Sequence, residues 1–190
     1  MTKVDPLAPK VMAMTQTARS FPPGRRISGR AQRDHVLDPY QTQQKLHEPT
    51  VCEGCGAVYH AGRWQWGPSP EPAHKGHCPA CRRIAEELPA GIVTLHGSFA
   101  RDHKDEIVGL AHNEEAAEQA EHPLNRIMAI EESDEGLVIR TTDIHLPHRL
   151  GTALKRAFHG ELDIHFDEAG YFVRVDWRPP VRAGGRVGAA

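Results

Sequence analysis

The four cysteines of this chain fall as two close pairs, Cys52-Glu53-Gly54-Cys55-Gly56 and Cys78-Pro79-Ala80-Cys81, each with two residues between the thiols. Twenty-two residues separate the pairs. Two intervening residues let a tight turn aim both sulfurs at one ion, and Gly56 permits the positive φ that such turns use. Four thiolates around zinc make a closed tetrahedron with no open position. A Zn2+ ion held by Cys52, Cys55, Cys78 and Cys81 would therefore supply folding energy rather than catalysis. Iron suits four sulfurs as well. His60, His74 and His77 lie nearby, but a complete set of thiols leaves them no vacancy.

A cytoplasmic protein is expected from the start of the chain, and in that reducing compartment two close cysteine pairs hold metal rather than form disulfides. The opening Met1-Thr2-Lys3-Val4-Asp5-Pro6 lacks a signal peptide's apolar segment, and no apolar run approaches bilayer length, so no membrane association is expected.

With 190 residues, the chain can form one ordinary domain and a small appended one. Residues 1–49 show little periodicity, and the first 34 set Lys3, Lys10, Arg19, Arg25, Arg26, Arg30 and Arg33 against Asp5 and Asp34. This reads as a disordered basic arm, serving either RNA or solubility. Residues 50–89 hold the cysteines, with a hairpin between the pairs and a helical turn or two from Arg82 to Leu88. From residue 90 to 178 the pattern is a strand at Gly91 to Phe99, a helix from Asp102 to about Glu121, and strands at Arg126 to Ser133 and Gly136 to Thr142. A helix from His145 to His159, capped by Thr142 or Asp143, and strands at Leu162 to Phe166 and Tyr171 to Trp177 complete it. The fold class is α+β: a zinc ribbon or knuckle, then a split β-α-β-β-α-β-β unit whose antiparallel sheet carries two helices on one face. Residues 179–190 read as a disordered basic tail.

Charge suggests where a partner would land. No acidic residue lies between Ile144 and Gly160, where Arg149, Lys155 and Arg156 alternate with Leu146, Leu150, Leu154 and Phe158. This basic helix, the Arg174 and Arg178 edge, and the arm residues Arg25, Arg26 and Arg30 are candidate phosphate contacts; a solvated helix face is the plainer alternative. Trp64 and Trp66 alternate on the hairpin and share a face, either as a stacking platform for RNA bases or as the apolar filling of a small module.

The cysteine pairs, the strand and turn Leu95-His96-Gly97-Ser98-Phe99, and the terminal Val173-Arg174-Val175-Asp176-Trp177 together resemble the large-ribosomal-subunit export adaptor family of the nonsense-mediated-decay-three type. They are also similar to a group of small bacterial zinc-ribbon proteins. The resemblance implies docking on ribosomal RNA or a ribosomal subunit. It does not extend to an export role, since this chain has two cysteine pairs where those adaptors have more.

An enzymatic reading finds no motif to stand on. His96 with Asp102, or His103 with Glu106, could form an acid and base on paper, but no glycine-rich phosphate loop, nucleophile elbow or His-Glu-x-x-His helix accompanies them. The expectation is a zinc-stabilised, RNA-binding or ribosome-associated accessory protein that is not an enzyme. The alternatives are a protein-interaction adaptor using the acidic helix from Asp102 to Glu121, and a metal-dependent hydrolase.

Overall fold

The computed structural model of this chain describes residue 40, residues 46–168 and residues 170–180. Most of the expected arm and tail, with Arg25, Arg26 and Arg30, lies outside the described residues. The rest is an α+β structure with two mixed sheets and four helices.

The first sheet has the order β3-β2-β1-β4, built from β1 (Thr50–Cys52), β2 (Val58–His60), β3 (Arg63–Gln65) and β4 (His74–Gly76). Its hairpin forms between the cysteine pairs, as the sequence suggests. Ala61 and Gly62 make the β2–β3 turn with φ of 52° and 77°, the double positive φ that a two-residue hairpin favours. β4 returns parallel to β1 and delivers the second pair beside the first. Helix α1 (Pro79–Ala85) starts at that pair, three residues before the expected Arg82, because Cys78 is its N-cap and Pro79 occupies its first position.

The second sheet has the order β6-β7-β5-β9-β8. β5 (Gly91–His96) lies between β7 (Gly136–Thr141), antiparallel, and β9 (Val173–Arg178), parallel. β6 (Ile127–Ser133) and β8 (Glu161–Phe166) form the edges. The sheet is therefore mixed, where an antiparallel one was expected. The last hairpin enters with β9 inward because Val173, Val175 and Trp177 are fully buried, whereas β8 alternates apolar residues with exposed Glu161, Asp163 and His165.

The expected helix from Asp102 to about Glu121 forms within two residues of those bounds, and a short helix that was not expected precedes it. β5 stops at His96, Gly97 turns the chain with φ of 90°, and the short α2 (Ser98–Asp102) precedes α3 (Lys104–Gln119). The expected extension of β5 to Phe99 is corrected on the same ground: Phe99 sits in α2 and stacks on His103, 4.1 Å between ring centroids.

Helix α4 (His145–Phe158) presents Leu146, Leu150 and Leu154 to the sheet. With Ile107 and Ala111 of α3, they meet Val93, Leu95, Leu137, Ile139, Val173, Val175 and Trp177 in one core, so both long helices cover one sheet face. Asp143 holds the start of α4, its Oδ2 accepting from His145 N at 2.6 Å and Leu146 N at 2.9 Å. No helix among the described residues is long and apolar enough to cross a membrane.

The β6–β7 turn depends on Gly136, whose φ is 145° and where an added Cβ would lie 1.9 Å from the Leu95 carbonyl oxygen. Gly136→Ala should destabilise the chain by more than about 2 kcal/mol in chemical denaturation, because backbone must move to admit the methyl. Gly109, in α3 with nothing within 4 Å of an added Cβ, should respond oppositely, Gly109→Ala stabilising by about 0.5–1 kcal/mol.

Candidate metal centre

Two chain turns and one helix start converge on the cysteines. Cys52 ends β1, and the turn to Cys55 closes with Gly56 N donating to Cys52 O at 2.8 Å, Gly56 at φ 77°. Gly54 is also confined, since a Cβ there would come within 2.9 Å of Cys81 Sγ. Cys78 arrives on the chain leaving β4, and Cys81 lies in the first turn of α1. All four Sγ atoms fall within 4.8 Å of one another, Cys55 and Cys78 at 3.7 Å. A tetrahedral zinc with bonds of about 2.3 Å has sulfur–sulfur edges of roughly 3.8 Å, so the four could hold an ion such as zinc after small shifts.

Backbone donors tune the thiols. Burial pushes the Cys52 thiol up, but N–H groups of Cys78, Cys55 and Gly54 aimed at its sulfur outweigh this and bring it down to about 6. Cys78 N lies 3.2 Å from that sulfur. Burial raises Cys78 and Cys81 above the ordinary thiol value. At neutral pH Cys52 thus offers a ready thiolate, while Cys78 and Cys81 keep their protons until a cation replaces them.

Arg126, read from the sequence only as the start of a strand, lies against the cysteine cluster. Its side chain is buried between the two sheets, Nη1 3.5 Å from Cys81 Sγ and Nη2 4.0 Å from Cys78 Sγ. Its Nε donates to Pro123 O at 2.7 Å, and the guanidinium lies 6.0 Å from the Trp66 ring centre. A positive group here offsets part of the charge of four thiolates. The signal that could have found it is slight: an Arg just before a strand, with no acidic partner in sequence.

The remaining candidate residues disperse. Trp64 packs against the cysteine cluster and, tilted, against Tyr59 at 5.5 Å. Trp66 lies beyond β3, its Nε1 donating to Gln119 O at 2.6 Å, so it helps seat the small sheet on the end of α3. Arg149 pairs with Glu118 at 2.8 Å and Glu114 at 3.3 Å, and Arg156 reaches Glu114 at 3.8 Å. Lys155 is exposed with no ion pair among the described residues. Arg174 lies over the Phe172 ring at 4.8 Å, and Arg178 is exposed at the end of β9. The opposite charges of α3 and α4 face each other, Glu114 and Glu118 of α3 pairing with Arg149 and Arg156 of α4. Of the paper acid–base pairs, His103 and Glu106 approach to 3.4 Å in the open, and His96 bonds Asp176 at 2.8 Å.

No family model, curated protein or solved structure matches this chain.

Three outcomes test the site. Binding of Zn2+ to the metal-free chain at pH 7 should release protons, and affinity should fall as pH drops, because Cys78 and Cys81 must ionise to ligate; titration calorimetry in buffers of different ionisation enthalpy reads both. Arg126→Gln should weaken zinc roughly tenfold or more in chelator competition with all four cysteines intact. The double variant Cys78→Ser, Cys81→Ser should bind none.

Proposed function

We propose that this chain is a zinc-stabilised RNA-binding accessory protein of the ribosome-associated kind, and that the RNA contact lies at the cysteine end of the molecule. The zinc is structural: four sulfurs fill a tetrahedral shell, leaving no position for substrate or activated water.

The observation that carries the reading is where the basic arm joins the fold. Tyr40 is buried against α1, its ring 4.3 Å from the Arg83 guanidinium and 5.3 Å from that of Arg82, its hydroxyl bonded to Glu86. α1 begins at the second cysteine pair, so Tyr40, ten residues after Arg30 in sequence, lies against the helix that starts at the metal centre.

The rest of the fold supports the same division. Between residues 90 and 178, nine Lys and Arg stand against seventeen Asp and Glu, so this part repels phosphate overall. Arg149 and Arg156 also lie within ion-pair distance of glutamates of α3, so α4 offers phosphate less free charge than its sequence suggests. The same acidic excess favours a second reading, an adaptor whose α+β part meets a basic protein.

Sedimentation of the tagged protein in lysate, with and without ribonuclease, separates the two. Comigration with ribosomal subunits that ribonuclease abolishes supports RNA; a complex that survives belongs to the adaptor; sedimentation at the top of the gradient removes ribosome association. Reversing Arg25, Arg26 and Arg30 to Glu should lower RNA affinity and reduce the slope of log affinity against log salt by about three. Reversing Arg149 to Glu should instead destabilise the fold by more than about 1 kcal/mol, since it sets like charges against buried Glu118, and leave RNA affinity unchanged.

A further inference from the structure

A groove of about 410 Å³ runs along the junction of the two sheets. That is within the roughly 300–1,000 Å³ of small-ligand clefts, which favour such junctions. One wall is the hairpin, with Tyr59, Arg63 and Trp64; the other is the connection from α3 to β6, with His122, Pro123 and Leu124. Tyr59 and Trp64 are direct cross-strand partners, so their rings share one side of the hairpin.

We propose that this groove is a subsite for a single unstacked base of single-stranded RNA, held between the aromatic hairpin and the Pro123-Leu124 wall, with Arg63 on its phosphate. The proposal rests on the RNA-binding reading above. Three observations select this occupant. Aromatic faces wide enough to accept any base are paired with a cation at the rim. Arg63 is exposed and has no ion-pair partner among the described residues, and no lining residue is a carboxylate. The acid beside the turn, Glu48, accepts from Ala61 N at 2.7 Å and Gly62 N at 3.2 Å. Finally, Leu46 lines the groove, sixteen residues after Arg30 in sequence. Guanidinium and imidazole favour a nucleotide over a proline-rich peptide, which would use the rings alone.

The test uses the zinc-loaded full chain and a fluorescein-labelled twelve-nucleotide oligoadenylate, read by anisotropy. Tyr59→Leu and Arg63→Gln should each weaken binding, the first by roughly tenfold or more, with zinc content unchanged. Trp64→Leu should weaken it further, and its zinc content reports whether the module still folds; Arg63→Gln, at an exposed position, keeps the test independent of that. Wild-type binding that all three variants retain, while reversal of Arg25, Arg26 and Arg30 abolishes it, overturns the groove and leaves the RNA reading standing. Absence of binding by the wild type to this RNA and to ribosomal RNA overturns both. Tyr59-dependent binding of a proline-rich peptide, with none of RNA, gives the groove to a peptide instead.

Discussion

Four sulfurs within 4.8 Å of one another cannot all be thiolates without a compensating cation. At an effective dielectric of about 20, two like charges roughly 4 Å apart repel by about 4 kcal/mol, and four sulfurs make six such pairs. The cluster must therefore keep protons or bind metal. The small sheet has little else to hold it: the buried members of its cluster are Cys52, Ala57, Cys78 and Ala80. Two alanines and two thiols, with Val58, Tyr40 and the partly buried Trp64 and Leu124 beside them, are a small core for some forty residues, so the shape of this end depends strongly on what neutralises the sulfurs. A divalent ion supplies two charges and Arg126 a third, leaving a net charge of about −1 for four thiolates.

Charge also organises the larger unit, through pairing rather than display. Glu118 is buried with Arg149 at 2.8 Å, Asn125 Nδ2 at 3.0 Å and His122 N bonded to its backbone carbonyl at 2.9 Å. Glu115 accepts from Ile127 N at 2.7 Å. Two glutamates of one helix thereby fix α4 on one side and the connection to β6 on the other. An acidic helix that would read as a docking face is half internal.

The elements themselves were largely legible. Alternation identified β6, β7 and both strands of the last hairpin, helical spacing identified α3 and α4, and the cysteine spacing predicted the convergence of the sulfurs. What the chain alone does not reveal is non-local. Val173, Val175 and Trp177 alternate much as Leu162, Ile164 and Phe166 do, and only the summed burial on both flanks makes β9 the inner strand, parallel to β5. The strand expected to reach Phe99 stops at His96 and gives way to α2; Gly97, with its positive φ, was the available sign. Arg126 was overlooked because its partners are sulfurs 45 and 48 residues away. The Trp pair was read as one face, but β3 ends at Gln65 and Trp66 goes to the helix instead.

The placement of Arg126 joins these features into one device. It follows directly on the segment 122–125 that forms one wall of the groove, its Nε bonds Pro123 O in that wall, and its guanidinium touches the sulfurs behind the hairpin that forms the other. Trp66 closes the same junction from the side, between Gln119 and Arg126. The separation of the groove walls is thus set by the contact that stabilises the thiolates. A cation held by these sulfurs would do more than hold a small sheet together: it would bear on how that sheet sits on the α+β unit, and with it on the only surface where aromatic rings and the unpaired Arg63 meet among the described residues.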